Sequence, residues 1–213
     1  MKKLIATLTT MSLLACSQLA TAGGMESLEN FVKLAKSGRA DFTQVVTAPG
    51  RDGQAARSKT STGTFEFSRP NRFRFNYKKP FEQTIVADGQ TLWLHDVDLN
   101  QVTARKQAQV LGSTPAALIA SSPDVNALKK DFNLEAVADR DGMQWVQATP
   151  KTKDGQLNSV KVGFRGNELG ALDILDSFGQ RSVITFSKLE LNAGVPAEAF
   201  QFKPPQGADV VRQ

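Results

Sequence analysis

The clearest alternation of apolar and polar positions lies in residues 63–98. Phe65, Phe67 and Arg69 alternate with Thr64, Glu66 and Ser68, so the two phenylalanines and Arg69 share one face of a strand. Pro70 holds Arg69 extended and ends that strand, and Arg69-Pro70-Asn71 is a turn. In the next strand Phe73, Phe75 and Tyr77 take one face, while Arg72, Arg74 and Asn76 take the other. Lys78-Lys79-Pro80 turns again, and residues 82–87 and 91–96 form a hairpin through Asp88-Gly89. The pattern predicts an antiparallel meander with one aromatic face and a permanent cation, Arg69, at its end.

Elsewhere the period changes. Met25, Leu28, Phe31, Val32 and Ala35 recur at helical spacing and predict a helix over 24–37. Glu26 and Glu29 lie early in it and Lys33 and Lys36 late, as the helix dipole favours, with Gly38 as its stop. Residues 40–47 read as a strand, 49–61 as a polar mobile connection, and 101–106 as a strand returning onto 91–96. Residues 112–131 break the pattern. Thr114 caps a short helix over 114–121, Pro115 suits its first position, and Pro123 prevents its extension. That helix, with Ala116, Ala117, Leu118, Ile119 and Ala120, has almost no polar face and is too short to hold in water alone. Tertiary contact must hold it, and little local structure resists its detachment. Asp124 then caps a turn of helix over 125–130.

Residues 132–138, 144–149, 158–164, 171–176 and 182–191 read as strands separated by Asp-Gly, Gly-Asn and Phe-Gly turns, ahead of a polar tail. About ten strands with few helices make a mainly β, single-domain chain. A sheet of that size must curl, because strands twist and open edges are hazardous. The expectation is an antiparallel barrel, closed or unclosed, with helices 24–37 and 114–121 over its mouth or open side.

The N-terminus changes the picture of where the protein works. Lys2-Lys3, an apolar run over 4–15 and Ala20-Thr21-Ala22 form a secretory signal peptide, residues 1–22. Leu13-Leu14-Ala15-Cys16 also resembles a lipobox with Cys16 as the acylated residue, but Leu14 fits it poorly and the A-x-A site lies downstream. Cleavage after Ala22 leaves residues 23–213, 191 residues, with 24 basic and 21 acidic side chains. The net charge of +3 is too small by itself to argue for nucleic acid. The sole cysteine, Cys16, leaves with the signal segment, so the processed chain forms no internal disulfide. An exported, soluble domain is expected.

Catalytic and metal chemistry find little support. His95 is the only histidine, beside Asp96 in a hairpin strand, and reads as an exposed strand residue. Asp96/Asp98 and Asp173/Asp176 are carboxylate pairs of the glycosidase type, but fall where strand ends and turns are expected. No phosphate-binding glycine loop is present. Arg72, Arg74, Lys78 and Lys79 interleave with aromatics, yet onto the opposite face, which argues against nucleic-acid stacking. That basic face is either a docking surface for an acidic protein or anionic head groups, or a solvated sheet face.

The aromatic face, Phe65, Phe67, Phe73, Phe75 and Tyr77, is either closed core or the lining of a cavity. Arg69 tilts the balance. A buried guanidinium needs partners for its donors, and a short helix over 114–121 leaves its last carbonyls, those of Leu118, Ile119, Ala120 and Ser121, without partners. Arg69 could tie them down as a latch between the sheet rim and a removable apolar lid.

Arg69-Pro70-Asn71 with Phe73, Asp88-Gly89 with Leu92-Trp93, Thr114-Pro115 with Leu118-Ile119-Ala120, and Phe202, Pro204-Pro205, Gly207 and Val210 form an ordered set. Over nearly the whole processed chain this set resembles the family of periplasmic outer-membrane lipoprotein carriers, the LolA family. The resemblance implies an unclosed barrel whose apolar interior shields the acyl chains of lipoproteins, in a periplasmic chaperone with no enzymatic activity and no cofactor. It implies loading by an ATP-driven inner-membrane release complex, delivery to an outer-membrane acceptor, action as a monomer, and no nucleic-acid partner. It also implies that Arg69 holds the lid closed when the carrier is empty. The lid would comprise Pro115, Ala117, Leu118, Ile119 and Ala120, and the candidate docking face Arg72, Arg74, Lys78 and Lys79. The acceptor of the same architecture is itself a lipoprotein, so acylation of Cys16 would instead make this chain an anchored acceptor or lipid-sensing domain.

Overall fold

The computed structural model describes residues 23–50, 55–110, 116–120, 123–152 and 155–213. The signal segment with Cys16, and Thr114, Pro115 and Ser121 of the expected lid, lie outside the described residues, as does the side chain of Ala117. Helix α1 (Gly23–Leu34) comes first. Strands β1 (Ser37–Ala48), β2 (Arg57–Ser68), β3 (Arg72–Lys79), β4 (Gln83–Asp88), β5 (Thr91–Asp96) and β6 (Gln101–Lys106) follow. Three small helices, α2 (Gln107–Val110), α3 (Ala116–Ala120) and α4 (Val125–Asp131), precede β7 (Phe132–Arg140), β8 (Met143–Pro150), β9 (Leu157–Arg165), β10 (Glu168–Asp176) and β11 (Arg181–Leu191). A 3-10 turn, Ala197–Phe200, leads to β12 (Asp209–Arg212).

The twelve strands among the described residues form one sheet, in the order β12-β6-β5-β4-β3-β2-β1-β11-β10-β9-β8-β7. Two meanders, β1 to β6 and β7 to β11, are sewn together where β1 pairs with β11. The edges β7 and β12 do not pair, so the barrel stays unclosed. It is strongly curled nevertheless: side chains of β5 and β10, separated by five intervening strands in the sheet, line the same interior cavity.

The aromatic residues of the first meander pair with one another. Phe65 lies opposite Phe75 and Phe67 opposite Phe73. Their rings sit within the main core with Phe42, Phe186 and Phe164, and Phe65 lies 4.4 Å from Phe75 and 5.4 Å from Phe186. Each such side chain removed from water contributes roughly 1.5–3 kcal/mol. Helix α1 lies within the curl. It buries Leu28, Phe31 and Val32, and the Phe31 ring touches Phe67 of β2 at 6.2 Å and Phe164 of β9 at 5.7 Å.

Three expectations are corrected. Helix α1 ends at Leu34, and Gly38 lies inside β1. A Cβ at residue 38 would stand 2.6 Å from the Phe67 ring, so glycine is there to let that ring lie on β1, not to stop the helix. Residues 57–61 of the expected polar connection are strand, paired along β1 from Ala48 to Gln44. The polar tail is also part of the sheet: β12 adds to the edge of β6 in parallel, with Val210 beside Val102. All other pairings are antiparallel, as the meander pattern predicts.

Candidate functional site

An apolar cavity of about 300 Å³ opens between the two meanders. Phe73, Phe75 and Tyr77 of β3, Ile85 of β4, and Leu92 and Leu94 of β5 form one wall. Leu172 and Ile174 of β10 and Ile184 of β11 form the other, with Gln44 of β1 as the only carboxamide among the described residues that line it. Apart from Gln44 and the Tyr77 hydroxyl, every lining side chain is hydrocarbon. Burial pushes the Tyr77 phenol up to about 12, so it remains a neutral hydroxyl across the physiological range. The volume is at the low end of the roughly 300–1,000 Å³ usual for small-molecule sites.

The five aromatics expected in the cavity therefore divide. Phe73, Phe75 and Tyr77 line it. Phe65 and Phe67 do not: both are fully buried, stacked on each other at 5.7 Å and enclosed by neighbouring rings and α1. Alternation placed all five on one face, but only the β3 residues lie where the two walls part.

Helix α3 packs on β3. Its Leu118, Ile119 and Ala120 are buried to about 1% exposure or less, as the lack of a polar face predicts. The carbonyl of Ala120, one of those expected to need a partner, accepts a hydrogen bond from the backbone N–H of Asn71 at 2.9 Å. Asn71 is in the left-handed region, φ 65°, where asparagine is tolerated. Its own carbonyl accepts from Nε2 of Gln107 at 2.6 Å, and Oε1 of Gln107 accepts from the Gly89 N–H at 3.0 Å. Gln107, 2% exposed, thus ties the turn after Arg69 to the β4–β5 hairpin. Sequence reasoning missed this residue, because a glutamine in the polar run Arg105-Lys106-Gln107 carries no sign of burial.

Arg69 stands at the head of that turn. Its backbone N–H donates to the Lys36 carbonyl at 2.8 Å. Its guanidinium carbon lies 5.4 Å from the Phe31 ring centre and 6.0 Å from that of Phe67, within reach of cation–π attraction. Burial pushes the guanidinium down to about 10, which still leaves it charged at neutral pH. A permanent cation is thereby held between α1 and β2, two residues from the backbone bond that holds the end of α3.

The four cations expected on the opposite face do not form one surface. Lys78 and Lys79 are exposed at the end of β3. Arg72 and Arg74 are half-buried beneath the C-terminal segment: Arg72 lies over the Phe200 ring at 5.7 Å, and Arg74 donates to the Ala199 carbonyl at 3.1 Å. Neither a solvated face nor an open docking face describes those two arginines.

Two further readings are corrected. His95 is not an exposed strand residue: it is half-buried, with its ring 5.8 Å from that of Phe202, which also packs on Trp93 at 5.5 Å. Asp173 lies within β10 rather than at a turn, with its side chain 8% exposed, and binds both Arg181 at 2.8 Å and Arg140 at 2.9 Å. Burial raises its carboxyl, but the hydrogen bonds from Arg181 and Arg140 outweigh that and hold it below the usual carboxylate range. Asp176 does cap the β10–β11 turn, accepting from the N–H groups of Phe178 and Gln180. Among the described residues no group of three His, Cys, Asp or Glu side chains converges on a metal-sized site, and no helix is long and apolar enough to cross a membrane.

An unclosed antiparallel half-barrel wrapped around an apolar interior, with a small apolar helix packed at its rim, is the class of protein that this geometry defines. The chain belongs to the LolA family: the sequence model described as outer membrane lipoprotein carrier protein LolA matches residues 33–203. It is 68% identical to an outer-membrane lipoprotein carrier protein of Albidiferax ferrireducens, over 96% of this chain and 98% of that one. It is 56% identical to a protein of the same description from Methylibium petroleiphilum, over 91% of this chain and 92% of that one. Among solved structures, a LolA superfamily protein from Nitrosomonas europaea aligns with a TM-score of 0.46 at 12% identity, covering 84% of this chain and 98% of that chain.

Proposed function

We propose that the protein is a periplasmic chaperone that carries lipoproteins between membranes with their acyl chains shielded in the interior of the half-barrel. The observation that carries this reading is the hydrocarbon cavity between β3–β5 and β10–β11, beside a helix whose last carbonyl is tied to the Arg69 turn. Exposing an acyl chain to water costs about 0.8 kcal/mol per methylene, so such cargo needs a carrier to cross an aqueous compartment. The membership of the family and the names of its relatives support the same reading.

The physics of release follows from competition for one surface. Leu118 and Ile119 are buried where α3 packs on β3, the strand that supplies Phe73, Phe75 and Tyr77 to the cavity, and on this reading acyl chains that extend beyond the cavity displace them, so lid and cargo compete. Removing either side chain from that contact costs roughly 1.5–3 kcal/mol. The closing preference of α3 therefore weakens cargo binding, which sets an affinity between those of a donor and an acceptor. Arg69 strengthens that preference by holding the lid end. An ATP-driven inner-membrane complex would load the carrier and an outer-membrane acceptor unload it, with the exposed Lys78 and Lys79 available to meet either. The chain acts as a monomer after cleavage behind Ala22, needs no nucleotide or metal, and catalyses no reaction.

The test is purification from periplasm followed by mass spectrometry of what is bound. Acylated protein cargo is expected. A folded carrier recovered from a cargo-producing cell without acylated species would contradict the proposal.

A further inference from the structure

The cavity exists with the lid shut. Leu118 and Ile119 are 1% exposed and the Ala120 carbonyl is bonded to the Asn71 N–H, yet about 300 Å³ lies open between the two meanders. A cavity of about 150 Å³ lined by aliphatic and aromatic side chains takes one benzene, so this one has room for roughly a dozen carbons.

The space also has a direction. Phe73 of β3 and Leu92 of β5 stand level across β4, each paired with Ala87. They mark the end next to α3, whose last carbonyl is held by Asn71, two residues before Phe73. Tyr77 marks the other end, four residues and about 13 Å further along β3. Gln44 stands at that end too: it pairs with Ser61, and Tyr77 pairs with Gly63, two residues on along β2. Nε2 of Gln44 donates to the Ser182 hydroxyl at 2.6 Å, which leaves Oε1 to accept, and burial keeps the Tyr77 hydroxyl protonated to donate. One end of the cavity thus offers a donor and an acceptor, and the other is hydrocarbon next to the lid.

We propose that the closed protein binds a single medium-length chain with a small neutral polar head, such as a monoacylglycerol, and that chain length decides whether the lid moves. The head lies at Gln44 and Tyr77 and the methyl end at Phe73 and Leu92. The inference rests on the acyl-chain reading of the cavity and deepens it. Chains of up to about twelve carbons are enclosed with α3 in place. A longer chain held by the same head runs out of space at Phe73, which shares its core with Leu118 and Ile119, and fits only by lifting them. Cargo with several acyl chains exceeds the space from the outset and always displaces the lid. A medium-chain lipid occupies the carrier and leaves it shut.

The experiment titrates the purified protein with monoacylglycerols of roughly eight to sixteen carbons, below the concentrations at which they aggregate, and follows amide exchange at Leu118–Ala120. Affinity should rise about fourfold per methylene up to roughly twelve carbons, with lid exchange unchanged or slower. Beyond that length the gain per methylene should shrink and lid exchange should accelerate. Leu92→Trp, which fills the lid end of the cavity, should move the break to shorter chains. Three results would overturn the length threshold and leave the acyl-chain reading standing: faster lid exchange at every length, exchange unaffected by the longest chain, or a break that a folded Leu92→Trp variant leaves in place. No binding at any length would remove both readings.

Discussion

The backbone N–H of Asn71 donates to the carbonyl of Ala120 at 2.9 Å, so the last residue of α3 is fastened to the turn that begins at Arg69. The bond links the rim of β3 to the helix packed on it. It also places any change at Arg69 next to the point where α3 is held.

From this arrangement, Arg69→Leu should loosen the lid. Under the proposed latch the guanidinium also bonds the lid carbonyls, and hydrogen bonds of a charged group are worth roughly 1.5–3 kcal/mol, so their loss from the closed state should tighten cargo binding about tenfold to a hundredfold. Amide exchange at Leu118–Ala120 should accelerate in the empty variant, and transfer from loaded carrier to acceptor membranes should slow. A purely structural arginine would lower stability and leave handover unchanged.

Core and cavity should respond differently to substitution. Phe67→Ala empties a site that is fully enclosed and should cost about 3–5 kcal/mol in urea unfolding. Leu94→Gln alters a half-buried cavity wall and should cost far less stability while reducing acyl-probe affinity several-fold. If both variants lost stability and affinity in proportion, cavity and core would be one closed body.

Asp173 supplies a pH test on the outer side of the sheet. Its carboxyl is held below its ordinary value by Arg181 and Arg140 against the opposing effect of burial. A carboxylate depressed by folding contributes stability that is fully present above its unfolded value, near 3.9, and is lost as pH falls through the lower folded value. Asp173→Asn should therefore cost about 1–3 kcal/mol at pH 7 and flatten the acid end of the stability profile. Parallel profiles for the two proteins between pH 7 and about pH 2 would contradict this.

The alternation of residues 63–98 made the strands of the first meander and their aromatic face readable, but not their register, because a slip of two residues keeps Phe65, Phe67, Phe73 and Phe75 on one side; the pairing of Phe65 with Phe75 and Phe67 with Phe73 comes from the structure. Nor could alternation separate cavity from core. Phe67 and Phe73 face each other and look alike in sequence, yet only Phe73 stands where β3 and β10 diverge. Gly38 was misread because a glycine behind a helix and a glycine beneath a ring carry the same letter. The strand β12 was hidden for another reason: Asp209-Val210-Val211-Arg212 is too short to show a period, and only the waiting edge of β6 makes it a strand. Burial of Asp173 likewise depends on Arg140 and Arg181, which come from different strands.

Processing at the N-terminus decides between a free carrier and an anchored relative. Cleavage after Ala22 should give a chain beginning at Gly23, and Cys16→Ser should leave yield and lipoprotein transport unchanged. Intact-mass spectrometry of the periplasmic and membrane fractions measures both. An acylated Cys16 at the N-terminus would make the protein an anchored acceptor.

The central claim, that acyl chains lie between β3–β5 and β10–β11, is tested most directly by photo-cross-linking inside cells. A photoreactive residue is placed at Leu94 on the cavity wall, and in a second strain at Asp139 on the exposed edge strand β7. Mass spectrometry then locates the bond on the trapped cargo. The account predicts a bond from position 94 to the acyl chains of a lipoprotein, and none from position 139. Equal labelling from both positions, or bonds from position 94 to polypeptide alone, would contradict it.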